Sequence, residues 1–588
     1  MTTTVEAKAG TNLTVQKITE QFPDKAVSLH SHQGEDTVLI DKDSIVDVLR
    51  FCKTDSELDY NFLMDLSASD HLEIQDRDYS ERYEVNYHLL STSTRDRIRL
   101  KVRLDEDQVE RSLREETGLV PTATGLWGTA DWMEREVYDL IGVRFNGHPN
   151  MKRILTHYKF VGHALRKDYS LKQGQWLDEP DDMFDELGES EGETHDLFSD
   201  EMELNIGPSH PAMHGTFRVL ARLDGETIKK AACEIGYLHR AFEKTAEKGT
   251  YTQVIPYTDR LNYCSALTNN VAYCRTIEKM LDLEVTERAI FIRVIIMEIS
   301  RIIDHLICVG TNLVDMGALT NFWYTFKVRE EIYEVLESLT GHRLTNNYVR
   351  IGGLAYDLYD GFEGHVRSCL EDLQESVKDV LGLIQKNRIF LDRSKGVSTF
   401  SGDDAVSDGW TGPCLRASGV DWDLRRDVPY YHYDEFDFDV PVLQGGDVHD
   451  RLLIRFLEME QSVRIIEQAL DRMPGGPVNV DMRSTVMPDK PGRDGVYGNI
   501  ESLMNHFVMV YDDIKPPAGE VYEATEAPNG ELGFYVISDG SGSPYRVRVR
   551  PPCFLIYSAF PKLIEGGMIA DAVITIGGLN VIAGELDR

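Results

Sequence analysis

The sequence predicts an α+β chain made of two unlike parts joined by an acidic connection. Three observations carry this. Period-two strands with few helices occupy the first 110 residues or so. Thirteen acidic residues and no Lys or Arg lie between Asp178 and Glu203. Beyond Met202, long helical patterns take over. We therefore expect a small α+β domain over residues 1–170, an acidic linker over 171–201, and a large, mainly helical domain with peripheral β-hairpins over 202–588.

In the first part, Asp41 to Cys52 is a short amphipathic helix with Ile45, Val46, Val48 and Leu49 as its apolar set. Tyr83, Val85, Tyr87 and Leu89 alternate with polar residues. After a turn at Ser91–Asp96, so do Ile98, Leu100, Val102 and Leu104. This reads as a two-stranded meander with one wet face. Asp131 to Ile141 suits a short helix stopped by Gly142. The acidic stretch reads as a solvated linker, part of it helical if Met183, Phe184 and Leu187 share a face.

In the second part, Phe217 to Leu223 alternates as a strand, and Asp224-Gly225 supplies a hairpin turn. Helical patterns follow at Thr258–Leu283, Thr286 to about Met316, Lys327–Thr340, Gly361–Asn387 and about His449–Arg472. The second of these is apolar nearly all round with isolated charges, as for a central core helix. Residues 390–448 read as irregular. Two alternating runs between Gly533 and Val549 flank a Gly/Ser turn as a second hairpin, and the end from Ile574 is apolar and Gly-rich.

A net charge of −37 argues against nucleic-acid binding. Neither a signal peptide nor an uninterrupted apolar span is visible, so we expect a soluble cytoplasmic chain, free to dock on a membrane protein. Eight scattered cysteines contain no C-x-x-C pair and read as buried apolar residues, poor material for zinc, a cluster or disulfides.

Candidate chemistry gathers in a few stretches. His210 and His214 lie in Gly207-Pro208-Ser209-His210-Pro211-Ala212-Met213-His214-Gly215, a loop leading into the hairpin. On a helix their spacing could bind zinc, but Pro211 and Gly215 break the helix and no third ligand is near. Hydrogen bonding within the loop, or to a ligand, suits them better. Leu238 to Lys244 reads as a helix start whose His239-Arg240 pair is able to aim positive charge at an anionic group. Pro256 to Tyr263 reads as a helix N-terminus capped by Thr258, presenting a phenol. Asp315 ends the apolar helix, where a carboxylate needs a partner such as a buried histidine.

Taken in order, these stretches resemble one family. Glu134-Arg135-Glu136-Val137-Tyr138-Asp139-Leu140 and Gly162-His163-Ala164-Leu165-Arg166-Lys167-Asp168-Tyr169 are similar to the 30-kDa-type subunit of bacterial NADH:quinone oxidoreductase (respiratory complex I). The His210–His214 loop, Leu238 to Lys244 and the terminal Gly584-Glu585-Leu586-Asp587-Arg588 are similar to its 49-kDa-type subunit, a fold related to the nickel–iron hydrogenase large subunit. The whole resembles a fused C/D subunit.

The resemblance implies that the histidine loop lines a quinone headgroup site formed by His210, His214 and Tyr263, with His214 and Tyr263 hydrogen-bonding the two carbonyl oxygens, Asp315 partnering His214, and His210 shaping the loop or cavity. It implies that Arg240, Arg260 and Arg343 lie near the terminal iron–sulfur cluster of a neighbouring subunit. Quinone is then the substrate, while NAD, FMN and all clusters sit in partner subunits, and this chain holds no metal. The partners implied are the cluster-bearing B-type subunit, the ferredoxin-like I-type subunit, the NADH-side subunits and the membrane subunits forming the quinone channel. The location implied is peripheral, on the cytoplasmic side of the inner membrane, with turnover coupled to proton pumping. Three positions depart from the family pattern: Ala164 replaces a usual Pro, Gly249 a basic residue, and Thr345 a histidine, with His342 three residues earlier. Hydrogen activation at a Ni–Fe site would need two C-x-x-C pairs, which are absent. A purely scaffolding role is the other reading, and fits the N-terminal part best.

Overall fold

The computed structural model describes residues 12–72, 74, 81–177, 187, 201–480, 500–511 and 513–588. The acidic stretch 178–200, with the helical face at Met183 and Phe184, lies outside the described residues apart from Leu187. The chain divides into two compact units. One comprises Met1–Asp182, Glu234–Lys244 and Asp403–Trp410; the other comprises Met183–Cys233, Thr245–Gly402 and Thr411–Arg588. Helix and strand are both present in each, as an α+β chain requires.

The smaller unit is built on a five-stranded sheet of β1 (Ala26–His32), β2 (Glu35–Ile40), β3 (Phe62–Asp70), β4 (Tyr83–Leu90) and β5 (Arg97–Leu104). The strand order is β1-β2-β5-β4-β3, with β2 and β5 parallel and the other neighbours antiparallel. The expected meander is thus the β4–β5 pair of a larger sheet. Its wet face is a correction: β4 is buried along its whole length, polar positions included. The charges are matched instead of solvated. Glu84 accepts from Lys101 Nζ at 3.1 Å and from Arg103 Nε at 2.9 Å, and Arg99 donates to Thr37 Oγ1 at 3.1 Å.

The helix Ile45–Thr54 follows a short 3-10 turn, and Ala130–Ile141 stops at Gly142 in the left-handed region (φ 93°), as its sequence predicts. Asp139 of that second helix accepts from the backbone N–H groups of Ile154, Leu155 and Thr156 and from Arg153. Glu134 accepts from Ala123 N at 2.7 Å and Thr122 Oγ1 at 2.6 Å, and burial pushes its carboxyl up to about 7. The Glu134–Leu140 signature is therefore a clasp that ties loops to a helix.

The larger unit surrounds one helix, Glu287–Asp315, 29 residues long. Helices Ala266–Met280, Leu319–Thr340, Val448–Arg472 and Ile569–Leu579 pack on it. Three of its charged or titratable side chains meet carboxylates: Arg293 with Glu278 at 2.6 Å, Arg301 with Glu298 at 3.2 Å, and His305 with Glu458 at 2.9 Å. The hairpin is present as Arg218–Asp224 and Thr227–Glu234, flanked by Glu201–Ile206. The later hairpin, Gly530–Ser538 with Arg546–Arg550, gains a third strand, Gly519–Ala527.

Several boundaries differ from expectation. The predicted helix Thr258–Leu283 is two helices, Tyr251–Thr258 and Ala266–Met280, separated by a 3-10 turn at Tyr263–Ser265. Thr258 caps nothing: its hydroxyl donates to Ile255 O at the end of the first helix, while Thr250 forms a capping box with Gln253 at its start. Helical residues near Leu238–Lys244 begin only at Phe242, leaving His239 and Arg240 outside. The irregular stretch 390–448 carries short helices such as Gly412–Ala417. The Gly-rich end folds as helices Ile569–Leu579 and Ala583–Asp587. No helix among the described residues is long and apolar enough to cross a membrane. None of the eight cysteines is in a disulfide; six are buried and Cys233 and Cys264 partly so.

Candidate functional site

The site grows from the short 3-10 turn Pro211–Met213. His210 precedes it, and its Nδ1 accepts from Ala212 N at 3.2 Å. Met213 is buried and anchors the turn, and His214 follows in the left-handed conformation with φ 54°. That conformation is unusual for a residue with a Cβ and marks a backbone held by its surroundings. It places the imidazole against the helix Ile569–Leu579. A Cβ on Gly577 would lie 3.3 Å from His214 Cε1 and 2.4 Å from Asn312 Nδ2. Glycine there leaves the room that the ring occupies.

His214 Nε2 and Asp315 Oδ2 are 2.6 Å apart, across 101 residues of sequence. The two side chains are 19% and 22% exposed. With Nε2 donating to the carboxylate, Nδ1 is the remaining ring nitrogen, and it has no hydrogen-bond partner among the described residues.

Tyr263 opens the 3-10 turn after Asn262, whose Oδ1 accepts from Cys264 N at 3.1 Å. Gly584 of the terminal helix brings its backbone close to this turn. A Cβ there would meet Arg260 O at 2.6 Å, Leu261 O at 2.7 Å and Tyr263 Cδ1 at 3.5 Å. The terminal Gly584–Arg588 signature thus supports the phenol. Tyr263 is 41% exposed, yet burial of its phenol, helped by Cys264 and Asp304, pushes the group up to about 12. It is neutral at ordinary pH and available as a donor.

His214, Tyr263 and Asp315 line one cavity of about 350 Å³. Its other walls are mainly apolar: Pro211, Ile307, Val314, Phe322, Ile576, Val581 and Ile582, with Cys264, Thr311 and Asn580. An apolar slot with a few convergent polar groups suits a flat, largely apolar ligand bearing hydrogen-bond acceptors.

Not every expected residue is here. His210 does not line the cavity; it caps the turn that delivers His214. Arg260 is exposed and donates to Pro256 O at 2.5 Å. Arg343 is exposed too, paired with Glu330 at 2.6 Å over the Tyr333 ring. Arg240 is exposed and falls in the smaller unit, in the segment Glu234–Lys244. None of the three arginines is among the cavity walls. Sequence reasoning missed Phe322, Thr311 and the Asn580–Ile582 wall, because an apolar tail and a helix start carry no chemical signal.

Comparison with known proteins agrees with the sequence motifs. Residues 38–175 match the respiratory-chain NADH dehydrogenase 30 Kd subunit, and residues 315–588 match the 49 Kd subunit. The C/D subunit of NADH-quinone oxidoreductase from Bdellovibrio bacteriovorus is 47% identical over 556 residues, covering 94% of this chain and 95% of that protein. This chain belongs to the C/D family of NADH-quinone oxidoreductase subunits. The D 1 subunit of NADH-quinone oxidoreductase from Sorangium cellulosum is 52% identical over 394 residues, 67% of this chain and 97% of its own length. The D subunit from Myxococcus xanthus is 48% identical over 400 residues, 68% and 95%. As a C/D family member the chain is one subunit of an oxidoreductase complex, with other complex I subunits as its partners.

Proposed function

We propose that the cavity between His214 and Tyr263 receives the quinone headgroup, making this chain the quinone-reducing end of the complex. The bond between His214 Nε2 and Asp315 beside a neutral phenol, in one apolar-walled cavity, carries the reading. Reduction of a quinone to a quinol takes two electrons and two protons. Tyr263 donates its O–H to one carbonyl oxygen. His214, as the imidazolium, donates from Nδ1 to the other while Asp315 holds Nε2. Donors already aimed at both oxygens stabilise the anion formed as electrons arrive. Once both protons have moved, a tyrosinate and a neutral imidazole remain. Because its site disfavours the anion, Tyr263 regains a proton readily.

On this reading residues 202–588 form the quinone part and residues 1–170 a scaffold, joined by the acidic linker. The larger part shares the fold of nickel–iron hydrogenase large subunits without their cysteine ligands. Electrons come from NADH through FMN and the clusters of neighbouring subunits. The terminal cluster is on the B-type subunit, near Arg240, Arg260 and Arg343, and the I-type and membrane subunits complete the surroundings. The chain works peripherally on the cytoplasmic side of the inner membrane. Transfer of the His214 proton changes the charge beside Asp315 and links chemistry to proton pumping.

The test is quinone reductase activity of the assembled complex. Tyr263→Phe removes one donor and should lower kcat about a hundredfold or more, the scale of one proton-transfer group. Full activity of that variant would return the chain to a scaffolding role.

A further inference from the structure

The central helix carries a second carboxylate behind the same cavity. Asp304 precedes Asp315 by eleven residues, about three turns, so both lie on one face of the helix. Asp304 is buried, and no Lys or Arg among the described residues lies within ion-pair distance of it. An acid in that position needs other donors. It has two. Its Oδ2 accepts from Asn262 Nδ2 at 2.6 Å, and its Oδ1 accepts from Asn580 Nδ2.

Each of these amides controls part of the cavity. Asn262 closes the turn that begins at Tyr263, through Oδ1 to Cys264 N, and its carbonyl accepts from Asn269 Nδ2 at 2.9 Å. Asn580 lines the cavity, stands in the left-handed conformation at the end of the helix Ile569–Leu579, and donates also to Asn529 Oδ1 at 2.7 Å. Asp304 therefore ties the phenol's turn to the wall at Asn580–Ile582. His214 and Tyr263 are thus each backed by a carboxylate of one helix: His214 directly by Asp315, Tyr263 through Asn262 by Asp304.

We propose that Asp304 is a positioning residue for quinone reduction, fixing Tyr263 through Asn262 and the cavity wall through Asn580. The proposal rests on reading the cavity as the quinone site. The negative charge of Asp304 also helps keep the phenol protonated. Burial raises the Asp304 carboxyl, against the opposing effects of His305, Arg455 and the two amides.

The experiment compares Asp304→Asn, Asn262→Ala and Tyr263→Phe in the assembled complex. It measures assembly, NADH oxidation with an artificial acceptor that bypasses the quinone, and kcat and KM for a short-chain quinone. In Asp304→Asn an amide NH₂ replaces one acceptor oxygen and meets an asparagine NH₂. We expect full assembly, unchanged bypass activity, a kcat lowered about ten- to hundredfold, as for loss of a supporting partner, and a KM within about twofold. Asn262→Ala keeps the carboxylate but cuts its link to the turn, and should lower kcat similarly. A purely structural role predicts less complex, with each remaining copy turning over normally. Wild-type kcat per assembled complex in Asp304→Asn overturns the proposal. Should that variant not assemble, wild-type kcat in Asn262→Ala overturns it. Loss of activity in Tyr263→Phe with full activity in the other two sinks only this inference, whereas full activity in Tyr263→Phe removes the quinone-site reading beneath it.

Discussion

His214 depends on a bond and on a space. The bond is to Asp315, and Asp315→Asn would leave Nε2 facing an amide. We expect slower quinone reduction and weaker proton pumping, read from NADH-driven quinone reductase rates and from proton uptake in vesicles holding the complex. Wild-type values of both would remove Asp315 from the chemistry. The space is at Gly577, where a methyl group would press on Asn312 and on the imidazole. Gly577→Ala removes no polar group, yet should lower kcat about tenfold or more by displacing the ring. Glu585 offers a pH test. It is buried, accepts from Cys553 Sγ at 2.9 Å, and burial raises its carboxyl to about 7. Between about pH 4.5 and 7 the folded state holds a proton that the unfolded state has lost, so this group's contribution falls as pH rises through that window. Glu585→Gln removes the effect. Relative to wild type, the variant should gain stability from about pH 5 to about pH 8, by up to about 3 kcal/mol, in unfolding measured across that range.

At the scale of elements, the central helix holds buried charges in matched pairs within its apolar packing. Arg293 makes a two-pronged pair with Glu278 and also donates to the carbonyls of Arg350 and Gly353. Arg293→Ala leaves Glu278 buried without its cation and should cost about 3–5 kcal/mol, visible as a lower denaturant midpoint. This helix was legible in the sequence almost to the residue, because an apolar stretch of that length with sparse charges has few other solutions. Asp315 was legible as a carboxylate in need of a partner, while the loop's spacing left His210 and His214 equivalent and only the family resemblance singled out His214. The break between Thr258 and Ala266 was not legible. Pro256 sits inside a helix that tolerates it, and the break is held by Asn262 through a local bond from Asn269 and a long-range bond to Asp304. Nor was the burial of β4 and β5, since alternation reports one polar face and not whether ion pairs let that face be covered.

For the whole molecule, the cysteines matter through their spacing. With no cluster-binding pattern in the sequence, the purified chain should oxidise no NADH and reduce no quinone alone, and should do both only within the assembled complex. A stopped-flow assay of the two preparations tests this. The long central helix has a further consequence. Its 29 residues span about 43 Å, and its aligned peptide dipoles leave the end at Asp315 partly negative. A carboxylate is disfavoured at that pole, and on the proposed reading a protonated His214 would offset both charges together. On the proposed reading, each proton leaving His214 would uncover the negative charge at this helix end, in the last turn before Gly317 and next to the Leu319–Thr340 helix.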